Sequence, residues 1–286
     1  MYKYILIFVI LCIPKICFSA TSIWIVSKDN NYLYLGGTIH MLKPEDYPLP
    51  VEFSEAFSKA DHLILEADIG ESKSDKYVLK MTKMLTYPVG DSLDKNLDKN
   101  TWSRLSAHLS SRGLSINNVA NFKPAMVVLM LTVMELNRIG MTGIGVDEYF
   151  YEKALAEGKS LAYFETVDTQ LGYILSMGIG RANDLILSTL DDVSRMEVMM
   201  ATMKSAWKKG DETKLADAGL TVMMKDYPML YQQILVDRNN NWMPKIEEML
   251  SNQDVELVLV GALHLVGNDG LLQLLRNKGY LVKQKM

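Results

Sequence analysis

Short apolar runs punctuate the chain, and between them lie longer stretches whose apolar positions recur every three or four residues. Residues 22–27 read as one strand and 32–35 as a second, with Asp29-Asn30-Asn31 as the turn of an opening hairpin. After a loop holding Pro44, Pro48 and Pro50, the pattern predicts a helix over about 51–59 and a buried strand over 62–67 that closes near Glu66. From about 72 to 140 only helices are expected, over 75–85, 101–112 and 124–139, with Asn100 capping the second and Pro124 in the first turn of the third. A helix over 147–157 and a strand over 160–165 follow. A second helical block covers 167–209, 214–224 and 228–250, interrupted by Gly178, Gly180, Gly210 and Tyr227-Pro228. The chain closes with a strand over 256–260, a helix over 270–277 and a strand over 280–283.

Strands separated by helices predict an α/β fold: a mixed, largely parallel central sheet in one domain over residues 20–286, with helical insertions at about 72–140 and 167–250. The closing strand, helix and strand should form a right-handed parallel crossover. In open sheets of this class, chemistry gathers at the carboxyl ends of the strands.

The first residues follow a different pattern. Met1-Tyr2-Lys3, an uncharged run over 4–13, Pro14, Lys15 and then Cys17-Phe18-Ser19-Ala20 read as a secretory leader cleaved after Ser19. The apolar run is too short to span a bilayer, and Pro14-Lys15-Ile16 is not the usual approach to a lipidated cysteine. A periplasmic or secreted protein is therefore expected, with no stable membrane anchor once the leader is removed. Cys12 and Cys17 are the only cysteines and both fall within it, so the mature chain has no disulfide and no thiolate ligand. Any metal must be held by His, Asp, Glu or water, and the histidines are His40, His62, His108 and His264. The composition, 49% hydrophobic and 22% charged, is that of a chain with a sizeable core, and its net charge of -4 has the wrong sign for a nucleic-acid-binding surface.

Two of those histidines share a pattern. Gly37-Thr38-Ile39-His40 and Gly261-Ala262-Leu263-His264 are both Gly-x-x-His, each directly after an apolar strand, where the glycine is expected to allow a sharp turn. Two further strands finish on a carboxylate, at Glu66 and Glu165. If the four strands are parallel neighbours, two imidazoles and two carboxylates meet at one sheet edge, as a divalent-metal site or as an acid/base pair. His62, at the opposite end of its strand, and His108, on a polar-faced helix, are expected to stand apart.

With Gly36-Gly37-Thr38-Ile39-His40, Glu66-Ala67-Asp68, Gly145-Val146-Asp147, Glu165, Gln170, Arg238-Asn239 and the segment from Gly261 through Gly279-Tyr280, the chain resembles the TraB/GumN family over almost its whole mature length. That family takes in the Tiki proteins, metal-dependent proteases using Mn or Co, and is related more distantly to the erythromycin esterases. The resemblance implies that His40 and His264 are paired catalytic or metal-binding histidines and that Glu66 is their associated acid. A divalent ion, Mn, Co or Zn, would be bound by His40, Glu66 and His264, with Glu165 as a fourth ligand or general base and Arg238 stabilising an oxyanion. The implied function is a metal-dependent hydrolase acting on a peptide or other small substrate. The alternatives are a metal-independent esterase-like hydrolase and a non-catalytic protein that captures a peptide or signal molecule.

Two features keep a plainer reading beside the functional one. Arg238 lies in a long helical stretch ahead of three consecutive asparagines, where a surface arginine is an ordinary occurrence. Met196, Met199, Met200 and Met203 follow helical spacing with Trp207 one turn on, a stripe that fits core packing or a partner helix, although thioethers also bind Cu(I).

Overall fold

The computed structural model describes residues 21–286. The expected leader, its expected cleavage after Ser19 and both cysteines lie outside the described residues. The strands are β1 (Ile23–Lys28), β2 (Asn31–Thr38), β3 (Met41–Leu42), β4 (His62–Leu65), β5 (Gly143–Ile144), β6 (Ser160–Tyr163), β7 (Glu256–Gly261) and β8 (Leu281–Gln284). Six of them form one sheet in the order β6-β4-β7-β2-β1-β8. The hairpin β1–β2 is antiparallel, and its turn places Asp29 at φ 55. Pairs β2–β7, β7–β4 and β4–β6 are all parallel. The fold is thus mixed α/β with a mostly parallel sheet.

Burial explains the order. Leu257 to Val260 of β7 and Leu63 to Leu65 of β4 are apolar and buried throughout, as central strands covered on both faces must be. Ser160 to Tyr163 of β6 and Leu281 to Gln284 of β8 alternate exposed and half-buried positions, as edge strands do. The closing unit runs from β7 through the helix Leu271–Asn277 to β8. Because β1 is antiparallel to both β2 and β8, β8 runs in the same direction as β7. It lies at the far edge because β2 and β4 already occupy both sides of β7.

Several helices depart from the expected bounds. The helix Lys99–Ser111 begins before residue 101, because its cap is Asp98, whose carboxylate accepts from Thr101 N at 2.7 Å, and Asn100 lies inside the helix. The span 167–209 divides into Val167–Ser176 and Ala182–Lys209, with Gly178 and Gly180 between them at φ 76 and 71. The span 214–224 becomes Glu212–Gly219 and Thr221–Asp226. Pro228–Tyr231 leads through a wider turn at Gln232–Val236 into the helix Asp237–Met249, which absorbs all three asparagines.

Most of the apolar interior, including Trp24, Phe53, Phe57, Phe150, Trp207 and Trp242, packs as one cluster around the sheet. A second cluster, around Leu93, Leu105, Leu109, Val127, Leu131 and Ile186, joins the first helical insertion to the helix Ala182–Lys209 of the second. Met196 is buried and Met199 and Met200 pack against the main core, so three of the four methionines of the stripe are core packing. Among the described residues, no helix is long and apolar enough to cross a membrane.

Candidate functional site

Four neighbouring parallel strands end at one edge, and across it the candidate residues follow in the order Glu165, Glu66, His264, His40. The pairing continues past the last residues of β4 and β6, with Glu165 N donating to Glu66 O at 2.9 Å. The two Gly-x-x-His segments lie side by side, Gly37 opposite Val260 and Thr38 opposite Gly261.

Their glycines have a different purpose from the expected sharp turn. Gly37 is still within β2, and neither it nor Gly261 has a positive φ. A Cβ at Gly37 would press on Ala262 Cα at 3.1 Å, so its absence lets the two motifs touch. The Gly37 carbonyl is anchored from the methionine-bearing helix by Trp207 Nε1 at 2.6 Å. At Gly261 a Cβ would lie 3.4 Å from Glu66 Oε1, 3.6 Å from His264 Cδ2 and 3.7 Å from His40 Nε2. Both histidines and Glu66 therefore border one small space.

Arg238 joins the buried half of the site. It projects from the helix Asp237–Met249, almost fully buried, with Trp242 and Tyr173 against its guanidinium at 4.7 and 5.6 Å. Its Nη2 donates to Glu66 Oε2 at 2.5 Å and to Glu165 Oε1, and its Nε donates to Glu165 Oε2 at 3.3 Å. One cation holds both carboxylates. Gln170 Nε2 adds a bond to Glu165 Oε1 at 3.1 Å, and Gly261 N donates to Glu66 Oε1 at 2.7 Å. Burial would raise the Glu66 carboxyl, but the facing His264, Arg238 and His40 and the Gly261 N–H hold it well below the usual carboxylate range.

The two imidazoles sit in different surroundings. His264 is buried; its Nε2 stands 3.1 Å from Arg238 Nη1 and 3.9 Å from Glu66 Oε1, and its Nδ1 is 2.7 Å from Asn239 Oδ1. Burial pushes it down to about 4, with Glu66 opposing and Arg238 adding to the effect. The His40 side chain is 65% exposed, with Nδ1 3.1 Å from Asp147 Oδ2, and that carboxylate raises its pKa. Beside it opens a cavity of about 290 Å³ bordered by His40, Glu66, Asp68, Lys73, Asp147 and Glu148. Glu165, Arg238 and His264 stand behind Glu66 and do not line it.

His62 and His108 are elsewhere: His62 pairs with Asp254 at 3.6 Å at the opposite end of β4, and His108 is on the helix Lys99–Ser111. Reading the sequence for chemistry did not single out Asp147, Asn239 or Lys73 as site residues. Asp147 and Asn239 are brought to the histidines they back from helices distant in sequence, while Lys73 lies just past the short helix Ile69–Ser72 that follows Glu66. Only the Gly145-Val146-Asp147 and Arg238-Asn239 pairings pointed towards the first two.

Among the described residues, no group of three or more His, Cys, Asp or Glu side chains is placed to hold a metal ion. The donor chemistry nevertheless suits a borderline divalent cation. Two imidazoles each have Nδ1 backed by a side-chain oxygen and Nε2 turned inward, and a carboxylate oxygen faces the same space at Gly261. Arg238 now engages the Nε2 of His264 and the second oxygen of Glu66.

These features define an α/β protein with paired Gly-x-x-His segments and an arginine-clamped pair of glutamates at the carboxyl edge of a parallel sheet. Residues 22–284 match the sequence profile of the TraB/PrgY/gumN family, and the chain belongs to it. It is 24% identical over 256 residues to protein YbaP of Escherichia coli (strain K12), covering 88% of this chain and 90% of that one. It is 21% identical over 316 residues to a metalloprotease TIKI homolog of Nematostella vectensis, covering 91% of this chain and 66% of that protein. No solved structure matches it at a significant level.

Proposed function

We propose that the protein is an exported, metal-dependent hydrolase that cleaves a peptide or other small carbonyl substrate in the cavity beside His40. The observation that carries this reading is the convergence of His40 Nε2, Glu66 Oε1 and His264 on the space at Gly261, next to that cavity. The similarity to a metalloprotease TIKI homolog supports both the hydrolytic class and the metal. When bound, a divalent ion held by His40, Glu66 and His264 supplies Lewis-acid polarisation of the scissile carbonyl.

The remaining chemistry belongs to the chain. Arg238 keeps Glu66 ionised and fixed, with Oε1 directed to the site. His40, its Nδ1 backed by Asp147 and its ring open to the cavity, is held with Nε2 turned to the shared space, where it would present a lone pair to the ion. Glu165 is shielded and bound to Arg238, so its part is to fix that arginine. Export rests on the leader over residues 1–19 and is checked by mass spectrometry of the mature N-terminus.

The test is cleavage of a peptide library by the purified mature protein, with and without chelator and with Mn, Co or Zn added back. Metal-restored turnover that disappears in folded His40→Ala and His264→Ala variants is expected. Turnover that survives exhaustive chelation assigns the esterase-like, metal-independent reading, and tight peptide binding without turnover assigns capture.

A further inference from the structure

Asn239 occupies a position that helix propensity does not favour, in the interior of Asp237–Met249, and it is buried there. Its side-chain amide is fully engaged. Nδ2 donates to the carbonyl oxygens of Asp269 at 2.8 Å and His264 at 3.1 Å, and Oδ1 lies 2.7 Å from His264 Nδ1. A flipped amide would set an oxygen against two carbonyl oxygens, so the orientation has one solution. Oδ1 faces the imidazole, and Nδ1 must carry the proton.

The opposite side of the ring leads to the same conclusion independently. Arg238 Nη1, which can only donate, stands 3.1 Å from His264 Nε2. Nε2 must therefore present a lone pair. The reverse tautomer would oppose N–H to N–H at Arg238 and lone pair to lone pair at Asn239. Trp242 lies against the imidazole with ring centroids 4.5 Å apart and holds its plane.

We infer that Asn239 is a positioning residue that locks His264 as the Nδ1–H tautomer, so that Nε2 is always an acceptor and Arg238 is directed onto Glu66 and Glu165. His264 is consequently not interchangeable with His40, whose exposed ring is backed by the carboxylate of Asp147. The inference deepens the hydrolase reading and rests on it for the reaction that is served. The tautomer itself is a property of the metal-free protein and can be measured without substrate.

The experiment uses the mature protein, labelled with ¹⁵N-histidine and stripped of metal, and long-range proton–nitrogen correlation at neutral pH. With four histidines in the sequence, His264→Gln identifies the relevant signals by their loss. Wild type should show a protonated, pyrrole-type Nδ1 and an unprotonated, pyridine-type Nε2 at His264. Asn239→Leu, close in volume but without the oxygen, leaves Arg238 facing Nε2 but removes the acceptor at Nδ1, so the Nδ1–H proton should lose its hydrogen-bonded downfield shift. On a cleaved substrate, Asn239→Leu should lower kcat by roughly 10- to 100-fold, as removal of an orienting partner commonly does, with KM little changed. An Nε2–H tautomer in wild type overturns the proposal, and so does an unchanged Nδ1–H proton shift in folded Asn239→Leu. If Asn239→Leu fails to fold, the wild-type Nδ1–H proton decides: a hydrogen-bonded downfield position supports the Asn239 contact, and the position of a free N–H overturns it. Absence of turnover in every form would instead overturn the hydrolase reading and leave the tautomer result standing.

Discussion

Gly261 sets the size of the space between the paired histidines. It has an ordinary backbone conformation, and the contacts its missing Cβ would make, from 3.4 to 3.7 Å, are normal van der Waals distances. Gly261→Ala should therefore fold with a melting temperature close to wild type, yet put a methyl group between His40 Nε2, Glu66 Oε1 and His264. The expected outcome is loss of turnover and of metal affinity, checked by calorimetry on a protein whose thermal melt is unchanged. An active, metal-binding Gly261→Ala would remove that space from the site. At this scale the sequence was readable where a residue type has few uses: two Gly-x-x-His segments and two strand-terminal glutamates do meet. It was less readable at Arg238, because an arginine in a helix is ordinary until two buried carboxylates and two aromatic faces surround it.

The elements that present these residues depend on close approaches that no local pattern announces. After β2 the chain reaches His40, and the segment is held from the start of the helix Val146–Glu157, where Val146 N donates to Ile39 O at 3.1 Å and the short strands β3 and β5 pair. Gly145, the cap of that helix, passes so near that a Cβ would fall on the backbone of His40. Gly145→Ala should force the two segments apart and separate His40 from Asp147. A destabilisation of about 1 to 3 kcal/mol is expected, the ordinary cost of overpacking, with turnover falling much further than the melting temperature. Circular dichroism melts alongside kinetics check it, and an unchanged rate would show that His40 tolerates the shift. The Gly145-Val146-Asp147 pattern was visible in the chain, but the β3–β5 pairing that explains it joins residues about a hundred positions apart. Helix ends illustrate the same limit: Asn100 and Asp98 are both competent caps, and the choice fell to Asp98, whose carboxylate reaches Thr101 N.

Across the whole molecule, chemistry occupies the carboxyl end of the sheet, and a stability liability lies at the other. Glu256 begins β7, buried, with Oε2 lacking a hydrogen-bond partner, and burial raises its pKa to about 7. The folded state thus holds this proton more tightly than the unfolded chain, whose carboxyl titrates near 4.5. Below that pH both states are protonated and the group costs nothing. Stability is then lost as pH rises from about 4.5 to about 7, and the penalty is constant above. Glu256→Gln should raise the melting temperature by on the order of a few degrees at pH 8, with the gain shrinking towards zero at pH 4.5. Melts across that range check it; a gain independent of pH would assign the effect to packing.

What the sequence determined by itself was local or compositional: the strand and helix alternation, the opening hairpin, the α/β class and the short list of residue types open to chemistry. These follow from hydrophobic period, turn chemistry and counting, which need no knowledge of distant neighbours. Only the tertiary structure decided that β7 lies between β2 and β4, that Arg238 joins Glu66 to Glu165, and that Asn239 and Asp147 each back a histidine. Those pairings span 73 to 172 residues for Arg238, 25 for Asn239 and 107 for Asp147. The Arg238 and Asn239 pairings arise from burial: a buried charge or ring nitrogen must find its partner among whatever the packed core brings alongside, whatever the distance along the chain. The exposed His40–Asp147 pair is set instead by the β3–β5 pairing and the Val146 N to Ile39 O bond.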